Sequence, residues 1–117
     1  MKTWLCGHTF VLEGCRPRRE PDFARWMEWL RHQDNTALKE TEVVEGITVL
    51  TFFPGFGHPG KLFNTLILTQ TEVAWEGEPP RFPCYNFFWP TYAQAMQGHE
   101  TVVADVRGHL KHMRHLL

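Results

Sequence analysis

The last quarter of the sequence carries an apolar stripe at helical spacing: Tyr92, Ala95, Met96, His99, Val102, Val103, Val106, Leu110 and Met113. That period is one face of an amphipathic helix of roughly five turns or more. Such a helix draws most of its stability from packing its apolar face, so the rest of the chain must supply a surface that covers the stripe. Thr91-Tyr92-Ala93-Gln94 has the form of a capping box, with Pro90 just ahead of it, and marks the start. Gly98 and Gly108 are interior positions where glycine weakens a helix.

The covering surface is encoded between residues 37 and 69. From Ala37 the period changes to two, with Leu38, Glu40, Glu42 and Val44 on one side and Ala37, Lys39, Thr41 and Val43 on the other, the pattern of a solvated strand. Glu45-Gly46 is a two-residue turn, and Ile47–Phe53 returns as a β-branched, aromatic strand, so the pair reads as a hairpin. Pro54–Lys61 holds three glycines and two prolines, which predicts a loop without regular structure. Leu62–Thr69 is a further strand and Tyr85–Trp89 a short one, separated by a turn-rich excursion around Glu76-Gly77-Glu78-Pro79-Pro80. Upstream, residues 2–12 read as a first strand ending at Glu13-Gly14, and Cys15–Glu20 as a polar connection. Pro21 then opens a helix that buries Phe23, Trp26, Met27 and Leu30 and ends near Asp34-Asn35. The expected architecture is α+β: an antiparallel sheet of about four to five strands with two helices packed on one face. A single domain over residues 1–117 is expected, with 109–117 as a helical C-terminal extension.

Composition narrows the function classes. An apolar share of 43% with 21% charged residues is that of a globular chain. Twelve Lys and Arg against thirteen Asp and Glu leave a formal charge of −1, which argues against a nucleic-acid backbone as the partner. The first residues lack the apolar core of a signal peptide, and no apolar run approaches the ~18 residues that span a bilayer, so an intracellular protein without a membrane is expected. Cys6, Cys15 and Cys84 are irregularly spaced and read as reduced thiols. With His8 they offer zinc-type donors, but their spacing matches no common zinc module, and neither a metal nor a cofactor is assigned.

At Thr51-Phe52-Phe53-Pro54-Gly55-Phe56-Gly57-His58 the chain resembles a family of small, mostly uncharacterised proteins encoded by bacteriophages and prophages. There a strand runs into a segment like Thr-Val-Phe-Leu-Gly-Leu-Asp-His, then a Gly-Pro-rich loop and a strand like Phe-Glu-Thr-Met-Val-Phe. The second strand is matched by Phe63-Asn64-Thr65-Leu66-Ile67-Leu68. The family's closing aromatic-x-Thr turn and Glu-Ala-x-x-Gly-His-x-x-x-Val helix are matched by Trp89-Pro90-Thr91 and by Gln94-Ala95-Met96-Gln97-Gly98-His99 with Val102 and Val103. The resemblance spans residues 36–108. Gly57 and Asn64 stand where the family has Asp and Glu, so a chemistry resting on those carboxylates does not carry over. What the resemblance implies is a phage origin and action in the host cytoplasm.

The candidate ligand-binding residues are Gly55, Phe56, Gly57, His58, Lys61 and Thr91. Glycines allow backbone N–H groups to form an anion nest, His58 and Lys61 add donors, and the helix starting at Thr91 favours anions at its N-terminus. The plainer role for His58 is capping a turn. His99, on the apolar stripe, reads as a structural histidine needing a buried hydrogen-bond partner. The expected function is that of a small phage accessory protein that binds a host protein or a small anionic or nucleotide ligand, as an inhibitor of host defence. A virion or assembly component, and a hydrolase using His58 and His99, are the alternatives. Leu110, Met113 and Leu117 leave an apolar edge on the basic tail, which predicts a homo-oligomer.

Overall fold

The computed structural model describes residues 8–32, 36–69 and 85–116, with residues 85 and 110–116 as backbone only. It is an α+β fold. The strands are β1 (His8–Glu13), β2 (Arg16–Arg19), β3 (Ala37–Val44), β4 (Ile47–Phe52), β5 (Phe56–Gly57), β6 (Phe63–Thr69) and β7 (Tyr85–Trp89). The helices are α1 (Phe23–Leu30) and α2 (Tyr92–Leu116), and a 3₁₀ turn covers Pro59–Lys61. β3-β4-β6-β7 form a four-stranded antiparallel sheet, and β2-β1-β5 a separate small one.

β4 and β6, the two inner strands of the central sheet, alternate, while β3 carries two bulges. In β4, Ile47, Val49 and Thr51 are buried, while Thr48, Leu50 and Phe52 are half-buried on the opposite face. β6 repeats this with Phe63, Thr65 and Ile67 inward. α2 lies across all four strands on the inner face. Val102, Val103 and Val106 pack on Ile47, Val49 and Ile67 toward the Glu45-Gly46 end. Ala95 packs with Phe10, Phe53, Leu62 and Phe63 toward the other end. Trp29 of α1 joins that second cluster, edge-on to Phe53 at 5.8 Å between ring centroids.

Several expectations need correction. Arg16–Arg19 is a strand, not a connection, paired with β1 from Phe10↔Arg19 to Glu13↔Arg16. Gly14 at φ 62° permits the tight reversal. As an outer strand β2 tolerates both Pro17 and its arginines, Arg18 pairing with Glu13 at 2.9 Å. α1 begins after Pro21: Asp22 is its cap, its Oδ1 accepting from the N–H of Ala24 at 3.0 Å and Arg25 at 3.2 Å. The helix stops at Leu30, and positions 33–35 lie outside the described residues. Its buried side is not the expected one, because Phe23 is 50% and Met27 40% exposed. The two tryptophans reach furthest into the protein, so the helix rolls onto Trp26, Trp29 and Leu30. The glycine-rich loop is also more regular than expected: Phe56 and Gly57 pair with Thr9 and His8, and the 3₁₀ turn follows. The excursion at 70–83, the start of the first strand, Cys6 and Cys84 lie outside the described residues.

Candidate functional site

Two polar constellations stand out, one on each face of the central sheet. On the inner face, the buried stripe of α2 places His99 at 0% exposure over β3 and β4. Its Nε2 lies 2.8 Å from Thr41 Oγ1 and its Nδ1 2.8 Å from Thr51 Oγ1. Thr51 is paired across the ladder with Thr65, the hydroxyls 2.6 Å apart. Trp89 Nε1–H donates to Thr65 Oγ1 at 2.9 Å. A single chain of hydrogen bonds therefore crosses all four strands.

Trp Nε1–H can only donate, which fixes the first link of the chain. If Thr65 donates to Thr51, Thr51 to Nδ1, and Nε2–H to Thr41, every proton between Trp89 and His99 has an acceptor. That arrangement makes His99 a neutral imidazole carrying its proton on Nε2. Burial pushes its pKa below the ordinary value, Glu100 opposing this and Lys39 adding to it. Lys39 bonds to Glu100 just outside, and this contact holds the Glu100 carboxyl below its usual range. With both ring nitrogens engaged and no exposed surface, His99 is placed to fix α2 on the sheet. His58, by contrast, is exposed.

The second constellation lies where β4 ends, β6 begins and β7 ends. The register Phe52↔Asn64↔Phe88 and Phe63↔Trp89 puts the loop at residues 54–62 and the start of α2 at the same end of the sheet. The sequence-predicted residues separate there. Gly55 is buried, and its carbonyl accepts from Phe10 N–H at 2.7 Å and from Trp26 Nε1–H at 2.8 Å. A Cβ on it would lie 3.1 Å from both Trp26 and Trp29. Gly55 is thus packed under the tryptophans, its carbonyl taken up by two donors within the fold. Phe56 and Gly57 pair with Thr9 and His8 of β1; Phe56 stays 41% exposed, edge-on to Trp26. Thr91 Oγ1 accepts from Gln94 N–H at 3.2 Å and so caps α2, while its hydroxyl donates to Gln94 Oε1 instead of Gln94 reaching back to the backbone.

His58 and Lys61 bracket the 3₁₀ turn, Lys61 N–H donating to the His58 carbonyl at 2.8 Å, and both side chains are exposed. His58 contributes no side-chain cap. Lys61 Nζ sits 5.6 Å from the centroid of the Phe88 ring, which is 48% exposed, and it meets no carboxylate among the described residues. Directly opposite Phe88 in the ladder is Asn64, whose Oδ1 is buried without a hydrogen-bond partner. Phe88 and Asn64 were missed as site residues. The signal available was the alternation of β6 and β7, which turns both to the outer face beside the loop.

No group of three metal-ligating side chains occurs among the described residues, and Cys15 is exposed and unbridged. No described helix is long and apolar enough to cross a membrane. The fold and the two constellations define an α+β protein with a hydrogen-bonded inner face and an open aromatic, cationic surface at one end of its sheet. Beyond that class, comparison with family models, curated proteins and solved structures finds no match.

Proposed function

We infer that this chain is a small phage accessory protein that acts in the host cytoplasm by binding a small anionic ligand with a planar ring, of the mononucleotide or nucleotide-signal kind. The observation that carries this reading is Lys61 poised over the half-exposed Phe88 ring at one end of the outer face. A planar base stacks on an aromatic face. Lys61, with His58 one 3₁₀ turn away, supplies charge for a phosphate. Binding without turnover is favoured because His99, the buried histidine among the described residues, is committed to the threonine chain. Removing a nucleotide signal would make the protein an inhibitor of host defence.

Docking to a host protein is a second reading, favoured by the exposed Phe23, Met27 and Phe56 around α1 and β5. Isothermal titration with AMP, GMP, CMP, UMP and inorganic phosphate tests the first. A mononucleotide should bind more tightly than phosphate. Lys61→Ala and Phe88→Ala should each weaken it roughly tenfold, in line with base stacking worth about 1–3 kcal/mol. His58→Ala should weaken binding while shifting stability by less than ~0.5 kcal/mol. Equal heats for all four nucleotides and for buffer at millimolar concentration would remove the ligand reading. Host protein recovered with the chain from lysate, and lost on Phe56→Ala, would then support the second.

A further inference from the structure

Gly98 and His99 are neighbours on α2, and both touch the hydrogen-bond chain of the inner face. The bare backbone of Gly98 seats the Trp89 indole, which leaves no room for a Cβ. His99 is bonded at both ring nitrogens, to Thr41 and Thr51, and Thr51 and Thr65 link it to the indole, all three of His99, Thr51 and Thr65 being wholly buried. A histidine held only by hydroxyls differs from one held by a carboxylate, because each hydroxyl donates or accepts according to how its proton is turned. Neutral His99 accepts at Nδ1, so Thr51 donates to it, Thr65 donates to Thr51 and Trp89 donates to Thr65. An imidazolium donates at both nitrogens. Thr51 must then accept from Nδ1 and turn its own proton to Thr65. Thr65 now receives protons from Thr51 and from Trp89 together, and its own proton has no acceptor left along the chain.

We propose that this chain is a proton-operated latch: protonation of His99 reverses the Thr51 and Thr65 hydroxyls and releases the Trp89 indole N–H, loosening the corner where β7 meets α2 while the rest of the fold holds. The indole bond is the link that gives. At 2.9 Å it joins two neutral groups, and Trp89 is half-buried, so water is at hand for the freed N–H. The bond from an imidazolium to Thr51 is charge-assisted, and the Thr51–Thr65 bond is 2.6 Å long and sealed from solvent. Burial holds the His99 pKa below the ordinary 6.5, Glu100 on α2 opposing this and Lys39 of β3 adding to it, so the latch is closed at neutral pH and opens in mild acid. Lys39 and Glu100 bond to each other, and Arg107 on α2 bears on Glu100. Glu40 and Glu42 of β3 face outward, in register with Leu50 and Thr48. β4 and β6 carry no titratable residue, and β7 carries only Tyr85, in register with Ile67 and two positions along the strand from the Thr65↔Phe87 pair.

Proton–nitrogen correlation NMR of the full chain, titrated from pH about 7.5 to about 5, tests this across the histidine range. Trp26 is the internal control, because its Nε1–H is bonded to the Gly55 carbonyl at 2.8 Å, an acceptor with no proton to turn. The Trp89 indole resonance should move toward that of free indole with the same midpoint as the His99 ring, while the Trp26 resonance stays in place. Thr51→Val, close in shape but without the hydroxyl, should uncouple the two: His99 still titrates and Trp89 no longer follows. The parent titration decides without any variant. No ligand enters the measurement, so the latch and the binding reading fail separately. A Trp89 resonance that stays put while His99 titrates, one that moves together with Trp26, one that still follows His99 in Thr51→Val, or a His99 ring that stays neutral over the whole range would each overturn the proposal.

Discussion

Gly98→Ala sets two opposing effects against one another, and the geometry decides the sign. Within α2, alanine is about 1 kcal/mol more favourable than glycine, so propensity alone predicts a more stable protein. A Cβ at this position, however, would lie 2.3, 2.5 and 2.6 Å from Cζ2, Cη2 and Cε2 of Trp89. Carbon atoms pack at about 3.5–4.0 Å, so the indole would have to retreat by about 1 Å. It is not free to do so, because its Nε1–H is bonded to Thr65 and through Thr51 to His99. Overpacking costs about 1–3 kcal/mol, and losing the indole bond leaves a buried group unsatisfied at about 1–3 kcal/mol more. One movement causes both, so the sum is partly shared, and the net expectation is destabilisation by about 2–3 kcal/mol. Gly108→Ala is the control on the same helix: Gly108 is exposed with nothing within 4 Å of its would-be Cβ. It should gain about 0.5–1 kcal/mol. Urea unfolding followed by tryptophan fluorescence measures both. A Gly98→Ala protein as stable as its parent would refute the claim that this glycine exists to admit Trp89.

The buried His99 makes stability depend on pH. Its folded pKa lies below the ordinary 6.5, so the unfolded chain binds the proton more readily. Stability is then whole above about 6.5 and falls as pH drops below it, by at most ~1.4 kcal/mol per unit. His99→Gln does not titrate and should flatten urea midpoints measured through that window; an equally steep profile would assign the effect to another group. Thr91→Ala removes the acceptor for Gln94 N–H and should lower stability by about 1 kcal/mol in the same assay, with Thr91→Asn recovering most of it. Gly55→Ala, at φ 89° and against Trp26 and Trp29, should cost the left-handed strain of about 1–2 kcal/mol plus overpacking of about 1–3 kcal/mol. Gly14→Ala, at φ 62° in open space, should cost the strain alone; equal losses would show that the tryptophans yield.

Legibility in the sequence followed the length and regularity of each element. The period of three to four residues in α2 recurs often enough to set both the element and its buried side, whereas in β3 the period of two marks the strand but not its faces, because bulges between Ala37 and Lys39 and between Glu42 and Val44 bring Leu38 and Val44 to the core while Glu40 and Glu42 face outward. α1 has only eight residues, and there the choice between Met27 and Trp29 as the inward residue depends on a surface far away in sequence: Gly55 and Phe53. Arg16–Arg19 carries no apolar alternation and so has the pattern of a connection, and what makes it a strand is the partner across Gly14. The glycine-rich loop looked like a binding nest because composition records where backbone freedom is permitted, not what it is used for. At Gly55 it admits two indoles and turns a carbonyl toward them. Alternation along β6 and β7 turns Asn64 and Phe88 to the outer face, but it is the ladder register that sets them side by side.

The two faces of the central sheet are mechanically tied because a strand turns consecutive side chains to opposite sides. Thr65 and Trp89 belong to the inner hydrogen-bond chain, while their neighbours Asn64 and Phe88 lie on the outer face beside Lys61. The chain from Thr41 to Trp89 joins β3 to β7 independently of the backbone ladder and fixes the spacing of the outer rows. A wholly apolar inner face would bury as much area but would hold register less strictly, since apolar contacts tolerate sliding and hydrogen bonds of 2.6–2.9 Å do not. The buried histidine and threonines are thus best understood as the part of the core that aims the outer face.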